Sequence, residues 1–239
     1  MIGKACDEDI WKKTIAEGRT VLHVASERGN FGLVKSLIEC GCDKEINDQR
    51  GNTPLHKASF YGRLDIVQYL ISVGADKEAK NESGDTPLIL ASKNRKLDVV
   101  KYLISVGADK EAKNEDGDTP LICASSYGDL GIVKYLVSIG CNIEAKNKDG
   151  NTPLIEASPK GKLEVVQYLI SIGCNIEAKN NNGNTPLICA STGSSVEVVK
   201  YLISVGANKD AKNNNGQTPF SVAWGDVKSY LNILGLKCL

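Results

Sequence analysis

Short apolar blocks alternate with polar, glycine-punctuated stretches along the chain, and the blocks come in pairs. Residues 51–83 show the pattern. Thr53 is suited to N-cap a helix, its hydroxyl accepting from a backbone N–H that has no helical partner, and Pro54 at the first helical position lacks an N–H that would go unpaired anyway. Leu55, Ala58 and Ser59 then give a small, close-packing face, and Gly62 ends the helix in a left-handed turn. A second helix opens at Leu64 with Asp65 near the positive end of its dipole. It continues Ile66, Val67, Tyr69, Leu70, Ile71, an apolar set too wide for one buried stripe and suited to packing on two neighbours. Gly74 stops it, and the polar run from Ala75 to Gly84, with Asn, Ser and Gly at its tip, predicts a hairpin-like turn reaching toward the next unit. Helices of about nine residues fall below the roughly 12 to 15 needed for marginal stability in water, so each pair must stack on others. Stability then becomes a near sum of unit and interface contributions along a line.

The pattern repeats at a fixed step. Thr20, Thr53, Thr86, Thr119, Thr152, Thr185 and Thr218 are spaced by 33 residues, and proline follows the last six of them. Glycines fall two residues before each of these threonines, from Gly18 to Gly216. Thr53-Pro54-Leu55-His56-Lys57-Ala58, then Gly62-Arg63-Leu64-Asp65-Ile66-Val67 and Gly74-Ala75-Asp76, resemble an ankyrin repeat, and seven in-register copies extend the resemblance over roughly residues 18–239. It implies an all-α repeat fold, an ankyrin-repeat solenoid of stacked helix-turn-helix units with β-hairpin-like loops. Departures from the family pattern are local. Its histidine stands only at His23 and His56, with Ile89, Ile122, Ile155 and Ile188 in its place elsewhere. Serines 59, 92, 125, 158 and 191 replace a common alanine, and the hairpin aspartate survives only as Asp48, with Asn81, Asn114, Asn147, Asn180 and Asn213 in the other units.

One continuous solenoid is expected: an N-terminal capping helix within residues 1–19, six full repeats over 20–217, and a truncated C-terminal capping repeat over 218–239. Ile10, Trp11 and Ile15 should face the first unit. The last unit is four residues short by its Tyr230-Leu231, and Trp224 and Leu234 are expected to fill the space where no repeat follows.

Composition sharpens this picture. A length of 239 residues would suit one or two ordinary domains, but aromatics are only 5%, as expected of a core of small helices built from Leu, Ile, Val and Ala. With 29 basic and 29 acidic residues, the whole chain has no drive toward nucleic acid or an acidic membrane. The start shows no secretory signal, no apolar run approaches the roughly 20 residues that span a bilayer, and Cys238 is not where prenylation needs it. A soluble, cytoplasmic, monomeric protein in a reducing compartment is expected. The eight cysteines include no Cys-x-x-Cys pair, and Cys141/Cys174 and Cys123/Cys189 differ by one and two periods, so they read as apolar fillers rather than disulfides or metal ligands.

Candidate chemistry is sparse. Tyr69, Tyr102, Tyr135, Tyr168 and Tyr201 recur at the period and read as packing residues whose hydroxyls reach the surface. His56 has no nucleophile motif beside it, and Glu115 and Asp116 lie on a solvated tip; no catalysis, cofactor or metal is expected. What varies between copies is more telling. Hairpin tips and first-helix ends differ from repeat to repeat, and ankyrin-like proteins generally use these surfaces, on the concave side, for partners. Phe60, Tyr61 and Tyr127 fall there rather than in the core, beside basic residues, as in a binding hot spot. Charge is segregated too: the tips hold seven acids against three bases, and the helix ends and turns seven bases against two acids. Acidic fingers over a basic floor are the expectation. A protein-binding scaffold or adaptor follows, with Arg50, Phe60, Tyr61, Glu82, Asp85, Lys93, Asp116, Asp118 and Tyr127 contacting the partner. The alternative is a passive architectural spacer with no specific concave-face partner.

Overall fold

A computed structural model describes residues 16–235, and the expected capping helix, with Ile10, Trp11 and Ile15, lies outside them apart from a 3-10 turn at Ala16–Gly18. The chain forms two compact units, one ending at Glu115 and one beginning at Asp116. The first holds α1 (Val21–Arg28), α2 (Phe31–Glu39), α3 (Pro54–Tyr61), α4 (Leu64–Ser72), α5 (Pro87–Lys93) and α6 (Leu97–Ser105). The second holds α7 (Pro120–Tyr127), α8 (Leu130–Ser138), α9 (Pro153–Ala157), α10 (Leu163–Ser171), α11 (Pro186–Thr192), α12 (Val196–Ser204), α13 (Pro219–Val222) and α14 (Gly225–Ile233). No strand occurs among the described residues. Within each unit, first helices pack on first helices and second helices on second helices, so α1, α3 and α5 form one layer and α2, α4 and α6 the other.

The local chemistry is the expected one. Thr53 Oγ1 accepts from the His56 amide at 3.3 Å, and Thr86, Thr119, Thr152 and Thr185 cap the amides of Ile89, Ile122, Ile155 and Ile188 at the same distance. Gly62 closes α3 in the left-handed region at φ 74°. The third repeat carries Arg95 in that slot, held at φ 59°, a conformation that costs a non-glycine residue on the order of 1 kcal/mol. Burial follows the apolar pattern: Ile66, Val67 and Leu70 of α4, and Val165, Val166 and Leu169 of α10, are fully enclosed.

Where the family pattern has histidine, it joins repeats. His56 Nδ1 accepts from the Thr53 amide at 3.1 Å, which leaves the proton on Nε2 to be donated to the Asp85 carbonyl at 3.0 Å. His23 bridges Thr20 to the Asn52 carbonyl in the same way, at 3.1 and 2.8 Å. Ile89, Ile122, Ile155 and Ile188 fill the equivalent space with buried hydrocarbon.

The connecting loops are joined by a polar ladder. One backbone rung recurs: Glu82 donates to the Arg50 carbonyl at 3.0 Å and Glu115 to Ser83 at 2.9 Å in the first unit, Lys148 to Asp116 at 2.8 Å and Asn181 to Asp149 at 2.9 Å in the second. Gly84 permits this approach, since a Cβ there would stand 2.7 Å from the Glu115 amide nitrogen. Beside each backbone rung runs a side-chain rung. Asn81 Oδ1 accepts from its own loop at Ser83 and Asp85 (3.0 and 2.9 Å), while its Nδ2 donates to Asn52 of the preceding loop at 2.9 Å. Asn147 to Asp118, Asn180 to Asn151 and Asn213 to Asn184 repeat it at 2.8 to 2.9 Å. Aspartate could only accept at these positions; asparagine also donates, and so ties one loop to the last.

Serine in the alanine slot divides in two. Ser92, Ser158 and Ser191 donate to the carbonyl four residues back, whereas the buried hydroxyls of Ser26, Ser59 and Ser125 have no hydrogen-bond partner among the described residues. Ser59→Ala is therefore expected to raise stability by about 1 kcal/mol, and Ser191→Ala to be neutral or destabilising. Urea unfolding of the two variants checks this, and equal effects would disprove the distinction.

Two expectations fail. Trp224 fills no space: it is 60% exposed, because the four missing residues shorten α13 to a single turn and leave the chain extended at Ala223. Its indole N–H instead reaches back to the Thr192 carbonyl at 3.1 Å, while Leu234 too is exposed. The cysteines are not all thiols. Cys42, Cys123, Cys141, Cys174 and Cys189 are thiols, but Cys40 is disulfide-bonded. It lies outside the repeat-equivalent cysteine positions.

Candidate protein-binding site

In the first unit, one expected finger, Asp85, and one expected floor residue, Lys93, meet as an ion pair, and Asp48 and Lys57, outside both sets, pair in the same way. Lys57 Nζ stands 2.7 Å from Asp48 Oδ2, and Lys93 Nζ 2.7 Å from Asp85 Oδ1. Asp85 is only 5% exposed and also accepts from Asn114 Nδ2 at 2.9 Å. The charges of Asp85 and Lys93 are thus spent on each other rather than displayed. Burial works to raise the Asp48 pKa, but the Lys57 ammonium, the Asn52 backbone and side-chain amides and the Arg50 amide outweigh it and bring the carboxyl down to about 2.

Beside these pairs lies a cleft of about 370 Å³ whose lining includes Arg19, Glu27, Arg50, Phe60, Tyr61 and Leu90. Phe60 and Tyr61, at the end of α3, are 39% and 40% exposed, and their ring centroids are 4.9 Å apart. Partial burial and the nearby Glu27 carboxylate, to which the phenol is hydrogen-bonded, push the Tyr61 pKa up. Glu27 is itself held by Arg19 Nη1 at 3.1 Å, and its carbonyl accepts from Arg63 Nε at 2.9 Å. Arg50 is exposed on the loop, and among the described residues its guanidinium has no ion-pair partner. Glu82 is exposed at the next tip. Arg19, Glu27 and Leu90 were not among the expected site residues. Leu90 had a signal, because the copies place Val24, Lys57, Leu90, Cys123, Glu156 and Cys189 at that one register, too varied for a fold position.

The second unit carries the remaining expected residues. Tyr127, at the end of α7, is 48% exposed with Lys160 Nζ 6.0 Å from its ring centroid. Lys160 also contacts the Ser126 hydroxyl and lies 3.2 Å from Glu156 Oε2. Asp116 is exposed at a tip, and Asp118 is half-buried and occupied in the ladder by Asn147 Nδ2 at 2.9 Å. No cluster of three or more His, Cys, Asp or Glu side chains with metal-binding geometry occurs among the described residues, and no helix there is long and apolar enough to cross a membrane.

A family model described as ankyrin repeats matches in overlapping windows that run from residue 2 to residue 234. The chain belongs to the ankyrin-repeat family. Its ankyrin fold is similar to the crystal structure of the human ASB11 ankyrin repeat domain, with 26% identity over 90% of this chain and 97% of that one and a TM-score of 0.81. The ankyrin repeat domain of Bcl-3, described as a unique member of the IkappaB protein family, is 31% identical over 92% of this chain and 99% of its own, with a TM-score of 0.72. No curated protein matches the chain. Ankyrin-repeat domains generally serve as protein–protein interaction modules. In an ankyrin frame the asparagines at the aspartate position are a gain of function for the loop, since each adds the donor that makes the side-chain rung.

Proposed function

We propose that this ankyrin-repeat chain is a non-enzymatic scaffold that binds a protein partner through first-helix ends and loop tips, with the Phe60–Tyr61 cleft of the first unit as its main contact. The observation that carries the reading is the pair of half-exposed aromatic rings, tilted by 56° with centroids 4.9 Å apart, that line one cleft with Arg50. Aromatic and arginine side chains dominate interface energetics because they bury much area at modest entropic cost and hold hydrogen bonds after desolvation. Tyr127 with Lys160 gives the second unit a contact of the same chemistry. Glu82 and Asp116 add charge at the tips, where they set association rate and selectivity more than affinity. Asp85, Lys93 and Asp118 shape the site from within.

The test is quantitative affinity capture followed by titration. A partner recovered stoichiometrically by the wild-type chain should bind a Tyr61→Ala variant about 10-fold or more weakly, and a Tyr61→Ala/Tyr127→Ala variant more weakly still, with unfolding midpoints unchanged. Equal affinity of the folded double variant would refute this placement. Recovery of no stoichiometric partner would leave the passive spacer as the better account.

A further inference from the structure

The cleft beside Phe60 and Tyr61 has an uneven charge account, and this defines the chemistry of what fits it. Its lining cations are Arg19, Arg50 and Lys57, and its lining anions Glu17, Glu27 and Asp85. Arg19 is taken by Glu27 at 3.1 Å and Glu17 at 3.9 Å, Lys57 by Asp48 at 2.7 Å, and Asp85 by Lys93 at 2.7 Å. Among the described residues one lining cation is left without an ion-pair partner, the Arg50 guanidinium, while the single Arg19 charge is shared between Glu27 and the more distant Glu17. It is held in place from behind: the Arg50 amide donates to Asp48 Oδ1 at 2.9 Å and its carbonyl accepts from Glu82 at 3.0 Å, so the side chain projects from a fixed backbone.

We infer that the first unit binds an extended peptide segment of its protein partner in which one carboxylate side chain pairs with Arg50 and a neighbouring apolar side chain packs on Phe60 and Tyr61. This deepens the scaffold reading and rests on it. A guanidinium presents a planar fork that matches a carboxylate with two parallel hydrogen bonds. The apolar neighbour follows from the two rings and from Leu90 in the lining, which offer hydrocarbon and π surface next to that fork. A polyanion fits poorly, because Glu17 and Glu27 line the same cleft and would repel every charge beyond the first. A basic segment would be repelled by Arg50, and the acids nearest to it, Glu17 and Glu27, already face Arg19.

The probe is a phage-displayed library of random dodecapeptides, panned on the folded full-length chain. The inference expects enriched sequences to carry Asp or Glu beside Leu, Ile, Phe or Tyr. Synthetic fluorescein-labelled copies should bind Arg50→Ala about 10-fold or more weakly and lose affinity as salt is raised. Panning on Arg50→Glu should then enrich Lys or Arg at the same place. Arg50 is exposed with no side-chain role in the fold, so both variants should unfold at the wild-type midpoint, which circular dichroism verifies. Peptides that are lost with Tyr61→Ala yet show no acidic preference, or are indifferent to Arg50→Glu, would overturn the inference and leave the scaffold reading standing. Enriched peptides that are indifferent to Tyr61→Ala, or the absence of any enrichment, would overturn both.

Discussion

Asn147→Asp is expected to destabilise the second unit by about 3 kcal/mol, although aspartate is the residue that the ankyrin pattern has at this position. Asn147 Oδ1 accepts from the amides of Asp149 and Asn151 at 3.1 and 2.9 Å, and an aspartate would keep both bonds. Its Nδ2 donates to Asp118 Oδ1 at 2.9 Å and to Glu156 Oε1 at 3.3 Å. A carboxylate there would lose two charge-assisted bonds and meet two like charges at contact distance. Asn213→Asp is the control. Asn213 Nδ2 donates to Asn184 Oδ1 at 2.8 Å and Gln217 Oε1 at 2.9 Å, and both partners are amides that can turn to present a donor. It should cost about 1 kcal/mol or less. Urea unfolding at neutral pH measures the difference, and equal losses would sink the explanation. The pH dependence gives a second check. Two carboxylates facing the new one raise its folded pKa above the unfolded value of about 3.9, so the folded state takes up protons first and the penalty shrinks as pH falls through that raised value.

Acid should loosen the first unit before the second. Both histidines lie in the first unit, fully buried, with pKa values lowered by burial against the opposing pull of backbone carbonyls. Each accepts a hydrogen bond at Nδ1 and is neutral when folded. Below about pH 6.5 the unfolded chain binds protons that the native chain refuses, so stability falls from there downward. Asp48 adds a second step. Its folded pKa, about 2 against an ordinary 3.8, stabilises by roughly 2 kcal/mol above pH 4, an amount lost as pH falls toward 2. Hydrogen exchange followed by residue at pH 7 and pH 5 should show amides of α1 and α3 losing protection relative to those of α8 and α10. His56→Ile, which installs the residue of the later repeats, should flatten the step between pH 6.5 and 5. Earlier loss of protection in the second unit would contradict this account.

Much of the fold was legible because its signals are local. The Thr-Pro caps, the glycines at helix ends and the 33-residue register each depend on a few neighbouring residues, and the helices begin and end where those residues stand. Phe60, Tyr61 and Tyr127 were legible as exposed for a related reason, since a repeating chain shows which positions the fold holds constant. The charges were misread. Asp85 and Lys93 are eight positions apart, and counting tips and helix ends as separate surfaces hid that they pair, while Asp48 and Lys57, nine apart, pair outside both counts. The asparagines stand out in the sequence as a departure from the family pattern but not as donors, because the partner of each Nδ2 sits 29 residues earlier in the chain. Trp224 was misplaced because a four-residue deletion removes the helical turn that would have faced it inward.

The loop ladder has one more consequence. Each rung joins residues held at a constant offset, the asparagine to a side chain 29 positions earlier and the backbone amide to a carbonyl 32 positions earlier. A duplicated stretch of 33 residues would therefore arrive with both halves of its rungs already encoded, and it could be spliced between existing repeats without a single compensating substitution. A gain or loss of another length inside a loop would shift the rung residues out of that offset, whereas the four-residue shortening of the last unit falls after its loop and leaves the rungs from Asn213 and Asn214 in place. Whole steps of 33 residues therefore keep every rung, which makes the number of repeats the property most easily altered by duplication of the gene.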